Sequence, residues 1–277
     1  MKIKDAFVLA AGMGSRMGPL GKNVPKPLFP IFGKSILEII ILQLKELGID
    51  NIYVNSHHQY EILNSYVKSK KIEINLLYEP KLLGSGGAFY NLKKNYPKLK
   101  NILALNADTI LNLSNNHINS LCSRLVENNQ TSCLLGVNVS ESNEFNRLNI
   151  KKNCLQGIII NKPDTDLKPF PLTYSGVSIV NLDKLDPLYF GKETSFFESV
   201  ADYHTSEVGV FAPGRIEVHD FGTIDNYILS MTSLFEKDSD FIFKFVKKTS
   251  SKNLLSCENE LCLVEIAGKK LKYNLRL

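Results

Sequence analysis

The stretch LAAGMGSRMGPLGKNVPKPLFPIFGKSI, Leu9 to Ile36, decides how the chain is read. A hydrophobic strand expected over Ala6–Ala10 runs into a glycine turn, followed by Arg16 and by Lys26 between Pro25 and Pro27. Glycines such as Gly12 and Gly14 let backbone N–H groups approach phosphate oxygens closely. Arg16 adds a planar fork of donors and Lys26 a point charge. The flanking prolines restrict the backbone and lower the cost of fixing that lysine. Taken alone, both cations fit equally well as surface residues beside a tight turn. Two better-known phosphate loops do not match. A dinucleotide fingerprint needs a third glycine where Met17 stands, and an acidic end to the second strand, which instead reads Tyr53-Val54-Asn55. A Walker A loop needs Gly-Lys-Ser or Gly-Lys-Thr to close the turn, and neither follows.

Outward from this stretch, the first half alternates strand and helix patterns. Ser35–Leu47 reads as an apolar helix stopped by Gly48, and Asn51–Asn55 as the next strand. Glu61–Lys70 is an expected amphipathic helix, Ile72–Tyr78 a strand, Gly86–Tyr96 a helix and Asn101–Asn106 a buried strand. This alternation predicts an α/β fold: a Rossmann-like, mostly parallel mixed sheet with helices on both faces. After Thr131 the pattern turns β-rich, with one helix expected in TSFFESVADYH and a last one over Asp225–Phe235. No linker or internal repeat interrupts the chain. One domain is therefore expected over residues 1–235, with a small C-terminal extension over 236–277.

Composition narrows the function classes. The 277 residues are 44% hydrophobic and 22% charged, ordinary for a globular protein with a sizeable core. The net charge of +5 comes mostly from scattered lysines, and the arginines are Arg16, Arg124, Arg147, Arg215 and Arg276. Nucleic-acid binding calls for a concentrated basic stripe or an aromatic platform, and neither is present. Cys122, Cys133, Cys154, Cys257 and Cys262 show no metal-ligand spacing and read as reduced thiols. The N-terminus lacks the apolar run of a signal peptide, and no run of about 18 apolar residues exists to span a membrane. A cytoplasmic protein is the expectation.

Leu-Ala-Ala-Gly-x-Gly-x-Arg-Met followed by Pro-Lys-Pro-Leu resembles the sugar-phosphate nucleotidyltransferases, which make NDP-sugars from an NTP and a sugar 1-phosphate. The likeness reaches about residue 235 through several separated motifs. Asn55-Ser56-His57-His58 is similar to the family's Asn-x-His-His segment, with His57 and His58 either near the nucleotide or structural. Glu79-Pro80-Lys81-Leu82-Leu83-Gly84-Ser85-Gly86-Gly87-Ala88 resembles the loop that embraces base and ribose. The resemblance implies nucleotide contacts from Leu9, Ala11, Gly12, Gly14, Ser15, Glu79, Pro80, Gly86 and Gly87. Gly86 and Gly87 also fit the cap of the following helix. Asp108, at the end of a buried strand, is implied to hold Mg²⁺. Its partner is Asp220, in a His-Asp-Phe-Gly-Thr segment similar to the family's Asp-x-Gly-Thr; Asp220 also fits a helix start. Asn161-Lys162-Pro163 resembles the family's Glu-Lys-Pro, implying that Lys162 binds the acceptor phosphate. Asn161 stands where a sugar-binding Glu is usual, so it offers an amide and no charge to the sugar hydroxyls. Gly176, in Tyr174-Ser175-Gly176-Val177, is implied to give the sugar ring room.

The implied reaction needs no general base, because the acceptor phosphate is already an anion. Positioning and charge carry it. Arg16, Lys26, Asp108, Lys162 and Asp220 are the implied catalytic set, and the partners are an NTP and a sugar 1-phosphate, with homo-oligomerisation left open. The motifs look most like the branch containing N-acetylmuramate 1-phosphate uridylyltransferase and the mannose- or heptose-1-phosphate guanylyltransferases. The role that follows is supply of NDP-sugars for cell-envelope polysaccharide, with UTP or GTP as donor. A phosphocholine-type cytidylyltransferase and a non-catalytic nucleotide-sugar sensor are the alternatives.

Overall fold

The computed structural model describes residues 2–138, 146–160, 171–237 and 240–246, with the backbone of three strands between 255 and 274. Strand β1 (Asp5–Leu9) opens the chain, followed by helix α1 (Ile36–Glu46), β2 (Asn51–Ser56), α2 (Tyr60–Ser69) and β3 (Asn75–Tyr78). Helix α3 (Gly84–Asn95), β4 (Asn101–Asn106), β5 (Thr109–Leu111), α4 (Asn115–Glu127) and β6 (Ser132–Asn138) complete the first half. The second half holds β7 (Arg147–Lys151), β8 (Cys154–Ile159), β9 (Leu172–Asn181), the short α5 (Phe196–Ser199), β10 (Val208–Phe211), β11 (Val218–Asp220) and α6 (Ile224–Lys237).

Local chemistry sets these elements. In α1 the Ser35 hydroxyl accepts from the Glu38 N–H at 3.1 Å, while the Glu38 carboxylate accepts from the Ser35 N–H at 2.8 Å. Such a reciprocal cap stabilises a helix start by about 1 kcal/mol. Gly48, at φ +79°, ends the helix in the left-handed region. The helix expected in TSFFESVADYH shrinks to the single turn of α5. Asp202 takes the His204 N–H at 2.9 Å and the Thr205 hydroxyl at 2.7 Å, a local arrangement that competes with helix continuation.

Nine strands form one mixed sheet in the order β3-β2-β1-β4-β9-β6-β10-β8-β7. β1 runs parallel to β2 and β4, and β2 parallel to β3. β9 inserts antiparallel between β4 and β6, and β10 returns parallel to β6. β8 and β7 follow antiparallel, and β7 pairs back to β9 through Arg147 and Thr173. The last five strands thus close into a small ring.

Alternation along the strands builds a core on each face. Ala6, Val8, Leu103 and Leu105 point to the face covered by α1, α2, α4 and α6. Phe7, Ile102 and Ala104 point to the face covered by α3 and α5, where Leu134, Leu148, Leu155 and Val208 also pack. The first core continues past residue 235: Phe241, Ile242, Phe245 and Val246 are buried in it, and Phe243 packs its ring 5.4 Å from Phe32. Strands Leu255–Glu258, Leu261–Ile266 and Lys269–Asn274 form a separate antiparallel sheet.

The glycines of α3 are fixed by packing. A Cβ on Gly86 would lie 2.2 Å from the Ser195 carbonyl oxygen and 2.4 Å from Ser199 Oγ; one on Gly87 would lie 2.4 Å from the Lys192 carbonyl oxygen. Gly86→Ala is therefore expected to destabilise the protein by about 2 kcal/mol through overpacking. Urea unfolding monitored by circular dichroism tests this, and an unchanged midpoint would refute it.

Candidate active site

The parallel strands β1, β2 and β4 end on one edge of the sheet, where open α/β sheets place ligands. Beyond β1 the chain turns at Gly14, at φ +64°, whose carbonyl accepts from the Met17 N–H at 2.9 Å. Gly21 packs so close that its Cβ would lie 2.2 Å from the Gly14 oxygen. The loop thus ends in short turns at Ser15–Met17 and Gly18–Gly21, and no long helix follows it. A second turn at Lys26–Leu28, entered through Pro25, projects Lys26 back over the sheet edge.

Two cavities meet here. The first, of ≈ 350 Å³, is walled by Leu9, Ala11, Gly12, Gly14 and Ser15 on one side and by Leu82, Gly84 and Ser85 on the other. The second, of ≈ 210 Å³, is walled by β6 and β9 residues including Val137, Thr173 and Gly176, together with Val218. Arg16, Asn106, Asp108 and Gly222 line both. Gly176, at φ +82°, lets β9 approach Asn106 so closely that a Cβ would lie 2.7 Å from the Asn106 amide nitrogen.

The junction is built by a two-stranded pairing outside the main sheet. β5 and β11 run antiparallel with Asp220 opposite Thr109, and the Phe221 N–H donates to the Asp108 carbonyl at 2.8 Å. This brings two carboxylates, 112 positions apart in the chain, to one spot. Lys26 Nζ sits 2.6 Å from Asp108 Oδ2, with the two side chains only 13% and 22% exposed. Asp220 accepts from the Gly222 N–H at 2.8 Å and from the Asn226 amide at 2.7 Å. Burial, and then the neighbouring Asp108, push the Asp220 carboxyl above its ordinary range. Two crowded carboxylates, one of them paired with a lysine, could hold a hard cation. Among the described residues no cluster of three or more His, Cys, Asp or Glu side chains gathers to hold a metal. An ion here would take two protein carboxylates and complete its shell with water and phosphate oxygens, as Mg²⁺ does.

Several expected site residues have other places. Glu79 is fully buried and does not wall either cavity. It acts through Asn55, which lines the first cavity: the Asn55 amide donates to Glu79 Oε1 at 2.8 Å, and its oxygen accepts from the Ala10 N–H at 2.7 Å. Asn55 thus ties the glycine loop to the Glu79–Ser85 segment, a role that its position in the Asn-x-His-His segment did not reveal. His57 Nδ1 lies 2.7 Å from the Glu79 carbonyl oxygen, and neither His57 nor His58 lines a cavity. Pro80 is exposed outside both. Gly86 and Gly87 face Lys192–Ser199, and the residues of that loop on the cleft are Leu82, Gly84 and Ser85. Asn161 and Lys162 lie outside the described residues. No helix among the described residues is long and apolar enough to cross a membrane.

The family model described as Nucleotidyl transferase matches residues 5–167. A D-glycero-alpha-D-manno-heptose 1-phosphate guanylyltransferase from Campylobacter jejuni is 28% identical over 70% of this chain and 83% of its own length. A UTP–glucose-1-phosphate uridylyltransferase from Synechocystis is 31% identical over 33% of this chain and 27% of its own. Among solved structures, HddC from Yersinia pseudotuberculosis complexed with GMP-PN superposes with a TM-score of 0.69 at 20% identity, over 84% of this chain and 100% of that one. The last likeness is one of fold: a nucleotide-diphospho-sugar transferase fold, within the Rossmann-like α/β class that the alternating first half of the sequence predicts.

Burial pushes the Glu79 carboxyl up from its ordinary 4.5, against the Asn55 hydrogen bond that favours its charged form. The native state therefore holds this proton more tightly than the unfolded chain, and stability falls as pH rises from 4.5 towards the folded value. Glu79→Gln keeps an acceptor for Asn55 and cannot ionise. The Tm difference between variant and wild type is expected to move in the variant's favour between about pH 4 and about pH 7. A difference independent of pH would show that Glu79 is not held up by burial.

Proposed function

The chain belongs to the nucleotidyl transferase family, and on that premise we propose that it transfers a nucleoside monophosphate from an NTP to a sugar 1-phosphate, releasing pyrophosphate. One observation carries this reading above the others. The two cavities are separate except at Arg16, Asn106, Asp108 and Gly222, so a donor in the first and an acceptor in the second touch only there. That is the geometry of a transfer between two bound substrates.

The first cavity suits the nucleotide. Half of its lining residues are glycine, alanine or serine, so at those positions backbone groups can approach base, ribose and phosphates closely. The second suits the acceptor, whose phosphate oxygen attacks the α-phosphorus as the bond to the β-phosphate breaks. Pyrophosphate carries away the electron pair. Arg16 at the junction and Lys26 beside it neutralise the leaving charge, and Lys26 exchanges its Asp108 contact for phosphate oxygens when the nucleotide arrives. Lys162 supplies a cation for the acceptor phosphate on this reading. Asp108 and Asp220 are the residues that would hold Mg²⁺, which offsets charge on the reacting phosphate when bound. Asn226 and the Gly222 N–H orient Asp220 for that task.

GTP is the first donor to test, because the Campylobacter relative is named a guanylyltransferase and the Yersinia structure was solved with GMP-PN. UTP follows. Supply of NDP-sugars for envelope polysaccharide in the cytoplasm is the matching cellular role. The measurement is pyrophosphate release from the four NTPs against a panel of sugar 1-phosphates, with and without Mg²⁺. One NTP–sugar pair is expected to dominate and to stop on adding EDTA. Asp108→Asn is expected to lower its rate by about a hundredfold or more. No release from any pair would sink the assignment.

A further inference from the structure

Arg147, the first residue of β7 and partly exposed as a whole, leaves one edge of its guanidinium unpaired. Its Nε and Nη2 are both shut off from solvent, and neither has a hydrogen-bond partner among the described residues. These two nitrogens share one edge of the guanidinium. Their N–H bonds run parallel and match the two oxygens of a carboxylate or phosphate. Buried donors without partners cost free energy and are rare in folded proteins.

The strand register says where this edge sits. Arg147 pairs with Thr173 of β9, and Thr173 pairs on its other side with Val137 of β6. Opposed residues of antiparallel strands put their side chains on the same face. Val137, Thr173 and Arg147 therefore form one row across three strands. Leu148 and Ile150 pack into the second core, inside the ring, so alternation sends Arg147 to the ring's outer wall. Val137 and Thr173 line the second cavity from that wall. Arg147 is the next residue in the row, one strand beyond the residues that line the cavity, and the preceding residue is tied to that wall because the Thr173 hydroxyl donates to the Asn146 carbonyl at 2.8 Å.

We propose that Arg147 is an oxyanion anchor of the acceptor cavity, taking a phosphate or carboxylate of the acceptor edge-on through Nε and Nη2. The inference rests on the reading of that cavity as the acceptor site. The oxyanion has two possible sources: the anomeric phosphate that every acceptor carries, or a second acidic group on the sugar. The chemistry is the same in both, and it explains why a fork of parallel donors, not a lysine, stands at the end of the row.

The test compares wild type, Arg147→Gln and Arg147→Lys with glucose 1-phosphate, glucuronate 1-phosphate and glucose 1,6-bisphosphate as acceptors. Steady-state kinetics are read alongside calorimetric titration of each acceptor and of inorganic phosphate. Arg147→Gln is expected to weaken acceptor binding and raise acceptor KM roughly 10- to 100-fold, the range of hydrogen bonds to charged groups, while NTP KM stays put. A loss shared by all three acceptors and by inorganic phosphate assigns the fork to the anomeric phosphate. A loss confined to the two doubly acidic acceptors assigns it to the second group. Arg147→Lys, a charge without a fork, is expected to recover part of the affinity and serves as well where the glutamine variant does not fold. A folded variant whose acceptor affinity is unchanged for every ligand, or whose NTP and acceptor KM rise together, overturns the proposal. Should wild type release no pyrophosphate from any pair, nucleotidyl transfer fails; the titrations still decide whether Arg147 holds an oxyanion.

Discussion

The close approach of Asp108 and Asp220 is the constraint on which the rest of this architecture turns. Neither carboxylate is stable there alone: Asp220 is buried beside a second negative charge, and its proton is correspondingly hard to remove. The approach is enforced by backbone, through the pairing of Thr109–Leu111 with Val218–Asp220 and the Phe221 N–H on the Asp108 carbonyl. Backbone pairing does not relax when charge repels, so the repulsion must be met by cations. Lys26 meets part of it at 2.6 Å. A divalent ion held by the two carboxylates would offset the remainder.

The same logic explains why Lys26 stands on a stiff turn. A flexible lysine would find Asp108 at an entropic cost and would leave it just as freely. Pro25 and Pro27 hold the backbone of the Lys26–Leu28 turn, whose carbonyls accept from Leu28 and Phe29. The lysine is thereby placed within reach of both the carboxylate and the cavity where phosphates are expected. Asn55 provides the matching rigidity on the opposite wall, since one amide holds the Ala10 N–H and Glu79 together.

What was legible in the sequence was local. The glycine loop, the Pro-Lys-Pro turn, the capped α1 and the strand that ends at Asp108 are each written in a few adjacent residues, and each stands where it was expected. The residues whose roles depend on distant chain were not legible. Gly86 and Gly87 read naturally as a nucleotide loop, yet their missing side chains make room for Lys192–Ser199, about a hundred positions on. Glu79 reads as a contact residue and is instead a buried support for Asn55. Arg147 drew no attention, because nothing near it in sequence marks it. Its meaning comes only from the register of β7 on β9.

This division between local and distant determinants also separates the two substrates. The first cavity, proposed for the donor, is walled largely by turns whose conformations are set by glycines and prolines in their own sequence. The second cavity, proposed for the acceptor, takes Val137 from β6 and Thr173, Tyr174, Ser175 and Gly176 from β9. A substitution on those strands changes what the acceptor meets without touching the loops that hold the phosphates. Acceptor preference can therefore shift while donor binding and the Asp108–Asp220 centre stay as they are.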